Sequence, residues 1–143
     1  MLTQSMQDAL NRQINVEFAS AHQYLALSSF FEQLNMKGCA HWMRLQHEEE
    51  RAHGMKIFDY LHDRDGVVKM LPIEAPETGW KTALDGFQSA LQSERYNSEQ
   101  IGNLVALATT EGDHPTHAFM QWFVTEQVEE EATAKEIVDK MTF

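Results

Sequence analysis

Apolar residues recur at spacings of three and four along four long stretches of the chain, the period of helices that bury one face. Leu10, Ile14, Ala21, Tyr24 and Leu25 mark the first stretch, and Phe87, Leu91, Ile101, Leu104 and Ala108 the third. Phe123, Ala134, Ile137 and Met141 mark the fourth. In the second, two rows compete for the inward face: Trp42, Leu45, Glu49, Ala52 and Lys56 against Met43, Gln46, Glu50, His53 and Ile57. The pattern predicts helices over about residues 5–33, 39–64, 82–110 and 114–141. Asp113 is the expected N-cap of the last helix, with Pro115 in its first turn.

The breakers between these stretches set the topology. "LNMKG" and "EGDHP" are short, so each joins two antiparallel helices. "GVVKMLPIEAPETGW" holds two of the three prolines and two glycines. A helix of about 27 residues is about 40 Å long, and about 15 extended residues reach about 50 Å. The segment can therefore run the length of the helices. The expected fold is all-α: a four-helix bundle over residues 1–143, up-down-down-up, with one long crossover.

With 143 residues, 43% of them hydrophobic, the chain can bury a core. A net charge of −11 disfavours nucleic-acid backbones and anionic membranes as partners and favours cations. No apolar run approaches a membrane span, and no secretory signal is visible. Cys39 is the only cysteine, which suits a reducing compartment, and a cytoplasmic location is expected.

Carboxylates occupy places in the apolar rows. Glu17 interrupts the first row, Glu50 with His53 the second, Glu94 the third, and Gln127 with Glu130 the fourth. Solvated helix charge is the bland explanation of any one of them. Four carboxylates meeting in a dry core would repel one another and lose hydration, at several kcal/mol per ion. A polyvalent cation resolves that conflict, and carboxylates with one imidazole suit iron, manganese or zinc better than magnesium. The spacing of Glu50 and His53 puts both on one helix face, able to reach one ion.

These residues, with "LNRQINVEF", "HWMRLQHEEERAHGMKIFDYL" and "FMQWFVTEQVEEE", resemble a bacterial-type non-haem ferritin subunit. The ferritin-like pattern takes one Glu from each of two helices and Glu-x-x-His motifs from the other two. The match is Glu17, Glu50-x-x-His53, Glu94 and Gln127-x-x-Glu130. Its fourth motif departs from Glu-x-x-His, as in ferritins and unlike bacterioferritins. Arg51 stands where bacterioferritins carry a haem-ligating methionine, so no haem is expected. The chain stops at "DKMTF", where the family usually continues into a short fifth helix, so a bundle without that helix is expected.

The resemblance implies oxidation of Fe2+ by dioxygen or hydrogen peroxide, and storage of the product as a ferric mineral in a hollow homo-oligomeric 24-mer cage. It implies two irons per subunit: one held by Glu17 and His53, one by Glu94 and Glu130, with Glu50 bridging. Tyr24 would touch the site, and Gln127 would lie beside it as a supporting group or weak ligand. Glu49, Glu126 and Glu129 match a third iron site. Two other readings remain open at this point: an oxidase with a permanent di-iron cofactor, and a structural cage subunit.

Overall fold

A computed structural model describes residues Met1–Phe143. Four helices account for the regular structure: α1 (Gln4–Gln33), α2 (Lys37–Asp63), α3 (Ala83–Glu111) and α4 (His114–Met141). The expected bounds hold within two residues. The largest difference is at α2, which starts at Lys37 rather than at residue 39. Gly38 was expected to belong to the turn. Asn35 makes the reversal instead, at φ 57°, a backbone state that asparagine tolerates better than most residues.

Local chemistry sets the other ends. Thr3 caps α1, its hydroxyl accepting from Met6 N. Thr82 and Asp85 form a reciprocal capping box at α3. Gly112, at φ 66°, ends α3. Asp113 then caps α4 by accepting from Thr116 N. Asp113 also accepts from Arg64 Nη1 at 3.0 Å, which ties the end of α2 to the start of α4.

α1 packs on α2 and on α3, and α3 packs on α4. Bonds between α1 and α3 run from Thr3–Glu111 to Gln23–Ser89, so the two helices are antiparallel. The order is therefore up-down-down-up, as expected. The crossover lies along α1, held by side-chain amides. Asn11 donates to Val67 O at 2.9 Å and accepts from Lys69 N at 2.7 Å. Asn15 donates to Leu71 O and Pro72 O.

The core is in two parts. One cluster gathers Met6, Leu10, Ile14, Ile57, Leu61, Ile101, Leu104, Met120 and Phe123. The other gathers Tyr24, Leu27, Phe31, Met43 and Phe87. The layer that contains Glu17, Glu50, Glu94 and Gln127 separates them, and these four side chains are 0–3% exposed. In α2 the Met43–Gln46–Glu50–His53–Ile57 row is the buried one, while Leu45 is 49% exposed. Leu25, expected on the inward stripe of α1, points outward at 44% exposure. The buried row continues through Tyr24, Leu27, Ser28 and Phe31, and Leu25 lies about 100° round the helix from Tyr24.

α2 and α4 stand further apart. No Cα of one comes within 8 Å of a Cα of the other. Large rings bridge the gap: Tyr60 stacks on Phe119 at 4.0 Å, and His53 meets Trp122 edge-on at 5.2 Å.

Candidate metal centre

The four helices bring two overlapping ligand sets together. One atom each from Glu17, Glu50 and His53 lies within 4.8 Å of the others, and so does one each from Glu50, Glu94 and Glu130. Glu50 belongs to both. Its side chain is fully buried, and neither carboxylate oxygen has a hydrogen-bond donor. Buried polar atoms are nearly always paired, so two orphaned oxygens on one carboxylate mark a place where a cation fits.

The other residues are held in place. His53 Nδ1 is 3.5 Å from Glu50 Oε2 and 3.9 Å from Glu17 Oε2. Trp122 and Phe123 pack edge-on against its ring. Tyr24 donates to Glu94 Oε1 at 3.0 Å. Gln127 Nε2 donates to Glu94 O and Ser98 Oγ, both at 3.1 Å, and reaches Glu94 Oε2 only at 3.5 Å. Its amide is thus spent mainly on tying α4 to α3. Gly54 lets α1 approach, because a Cβ there would lie 2.4 Å from the Phe18 ring.

Crowding perturbs the acids. Burial, then the neighbouring Glu17 charge, pushes Glu50 well above the usual carboxylate range. Burial raises Glu94 to about 7, although the Tyr24 hydroxyl pulls the other way. Burial raises Glu130 to about 9, with Glu94 and Glu49 adding to the shift. Burial, then Glu94, also lifts the Tyr24 phenol well above its ordinary value. Carboxyls in this state carry protons that a metal ion can displace. Several oxygens with one imidazole suit a first-row ion such as iron or zinc.

A cleft of about 570 Å³ between α2 and α4 leads from this layer to the surface, lined by Glu49, His53, Glu126, Glu129 and Glu130 among others. Lys56 Nζ sits 3.3 Å over the Trp122 ring at its edge. Glu49, Glu126 and Glu129 share the cleft but form no ligand set as tight as the two triads. Three neighbours escaped the sequence reading. Gln13 and Asn97 both donate to Glu17, and Ser98 accepts from Gln127. Helical spacing could have found the first two, since Gln13 precedes Glu17 by four residues and Asn97 follows Glu94 by three.

Known proteins resemble this chain in sequence and fold. Residues 7–143 match the ferritin family, described as a ferritin-like domain. The bacterial non-heme ferritin of Bacteroides fragilis is 42% identical over 141 residues, covering 99% of this chain and 89% of that protein. An open-pore ferritin from the archaeon Archaeoglobus fulgidus superposes with a TM-score of 0.98 at 42% identity, covering 99% of this chain and 88% of its own. Chlorobium tepidum ferritin superposes at 0.97 with 34% identity, covering 99% and 87%. A four-helix bundle split by a buried layer of carboxylates, matched along nearly its whole length, places the chain in the ferritin family of iron-storage proteins.

Proposed function

We propose that residues 1–143 act as one ferroxidase unit that binds two Fe2+ as substrate and passes the ferric product to a mineral store. The observation that carries this is Glu50, shared by both ligand sets and without a hydrogen-bond donor. Glu17 and His53 hold the first iron, Glu94 and Glu130 the second, and Glu50 bridges them. Glu49, Glu126 and Glu129 serve a third ion in the cleft, on the route between the pair and the surface.

Each Fe2+ gives up one electron. Two electrons with two protons reduce dioxygen to hydrogen peroxide, and peroxide in turn can serve as oxidant. Holding two metals side by side lets the electrons leave as a pair. Glu50, Glu94 and Glu130 release protons as iron enters, because burial keeps their acid forms favoured without it. Tyr24 holds Glu94 by its hydroxyl. Imidazole serves only the first site, so the carboxylate-only second site releases its ion more readily.

The unit works within a closed 24-mer cage. Leu25, Leu45, Val67, Met70 and Ile73 supply exposed apolar surface on α1, α2 and the crossover, as subunit contacts require. A cytoplasmic location fits the single free Cys39 and the lack of any helix long and apolar enough to cross a membrane.

Stopped-flow absorbance after aerobic addition of Fe2+ tests the chemistry. Fast oxidation that saturates at two or three irons per subunit supports it, and a rate equal to that in buffer overturns it. Light scattering on the eluting protein tests the cage, which a monodisperse monomer or dimer would rule out.

A further inference from the structure

Glu17 is held differently from the other acids of the centre. Asn97 Nδ2 donates to both of its oxygens, at 3.1 and 3.2 Å. A donor nearly equidistant from both oxygens lies across the open mouth of the carboxylate, where a chelated ion would sit. Gln13 Nε2 adds a second donor to Oε1 at 3.1 Å, and gives its other N–H to Asn97 Oδ1 at 2.7 Å. That bond from α1 to α3 sets the orientation of the Asn97 amide. All three side chains are at most 3% exposed, so water does not compete for these bonds. Oε1 therefore takes two donors. Oε2 takes one and is the oxygen that faces His53 Nδ1 at 3.9 Å. Glu94 contrasts with this. Its donors, Tyr24 and Gln127, approach separate oxygens, and neither reaches both.

We propose that Gln13 and Asn97 are a pair of positioning residues that confine Glu17 to ligating the first metal through Oε2 alone. The proposal rests on the two-metal reading of the site. The amide pair acts through Glu17 and does not touch the metal. Its consequence is a first metal with one fewer protein ligand, and so a coordination position open to water or oxidant, as catalytic sites require and closed structural sites do not. The second metal, on Glu94, carries no such restriction.

The test uses the whole protein crystallised with Zn2+, a redox-inert occupant, as parent and as Asn97→Leu. In the parent, Glu17 Oε2 should bind zinc at about 2.0–2.2 Å, with Oε1 outside bonding distance. In Asn97→Leu the mouth is free, and both oxygens should bind. In solution, the visible absorption of bound Co2+ should weaken in the variant, because coordination number rises. Loss of a merely structural residue would leave the number of Glu17 oxygens on the metal unchanged. Should Asn97→Leu not fold, Asn97→Ser, too short to reach the mouth, makes the same comparison. Zinc held by both oxygens in the parent overturns the proposal, and so does single-oxygen binding in the folded variant. Zinc missing from Glu17, Glu50 and His53 in the parent would instead overturn the two-metal reading.

Discussion

Glu50 and His53 stand one turn apart on α2, with His53 Nδ1 3.5 Å from Glu50 Oε2, and both are buried. The imidazole therefore serves one side of the shared carboxylate, while Glu94 and Glu130 serve the other. That asymmetry underlies the expected behaviour of the site.

In the proposed two-metal reading, Glu50→Ala removes a bond to each metal. Fast Fe2+ oxidation should fall by at least about 100-fold, since loss of even a group that only supports a metal ligand commonly costs about 10–100-fold. The metal-free fold should survive, because removing this buried carboxyl relieves crowding with Glu17 and Glu94. Initial oxidation rates and a thermal melt decide it. A rate close to the parent's would place the chemistry elsewhere.

Metal-free protein should lose stability as pH rises from about 4.5. Glu94 is raised to about 7 and Glu130 to about 9 by burial. A carboxyl whose folded value is raised binds its proton more tightly folded than unfolded. Its contribution is full below the unfolded value and is lost as pH climbs to the folded one. Denaturation midpoints in chelator between pH 5 and pH 9 should therefore fall, and Zn2+ should reverse the trend. A flat profile would show that the acids are not protonated in the metal-free fold.

Tyr24→Phe removes the buried donor to Glu94. The expected cost is about 1–2 kcal/mol in denaturant unfolding. The hydroxyl also lowers the Glu94 value, so without it the proton competes harder with a metal. Zn2+ affinity at the second site should drop more at pH 6 than at pH 8, measured by titration calorimetry. Equal losses at both would mean that the hydroxyl only packs.

Asp113→Ala removes the α4 cap and the partner of Arg64. Burial opposes ionisation of this carboxyl, but hydrogen bonds from Thr116 and Arg64 hold it below the ordinary range. The loss should be about 2 kcal/mol at neutral pH. For a lowered acid, the contribution is present above the unfolded value and disappears as pH falls. The gap between parent and variant should accordingly close in acid, which urea unfolding at pH 7 and pH 3 can check.

Gln127→Glu with Glu130→His converts the fourth-helix motif to Glu-x-x-His. The added imidazole should strengthen metal binding at the second site by about 10–100-fold, so that iron stays after oxidation. The new carboxylate at 127 would face Glu94 O, to which Gln127 now donates, and the metal-free form should be less stable. Iron retained per subunit after one oxidation cycle and passage over a chelating column is the measure. Equal loss from both proteins would exclude these positions from control of release.

Periodicity made most of the architecture legible. Helices of this length, with breakers confined to three places, admit few arrangements, and the length of the 64–82 connection selects the crossover. Two of the ligand candidates were legible too, because Glu17 and Glu94 violate apolar rows, and a violated row is visible without coordinates; Glu50 was legible through its spacing to His53. Asn97 was harder to see. Its place three residues after Glu94 and four before Ile101 puts it on the same row, but what it holds comes from α1, through Gln13 and Glu17.

The sequence alone thus determined the four helices, the Asp113 cap of α4 with Pro115 in its first turn, and the acids Glu17 and Glu94 on the buried stripes of α1 and α3, since each depends on residues within a few turns of one another. Only the tertiary structure decided which of the two rows of α2 faces inward, that Leu25 faces out, and that Glu50 stands in both ligand sets. Those outcomes depend on side chains from different helices meeting in one layer. No spacing within a helix encodes how far a second helix stands from it. The separation of α2 from α4, which opens the cleft beside Glu130, is set by the rings of Tyr60, Phe119, His53 and Trp122 packing between them.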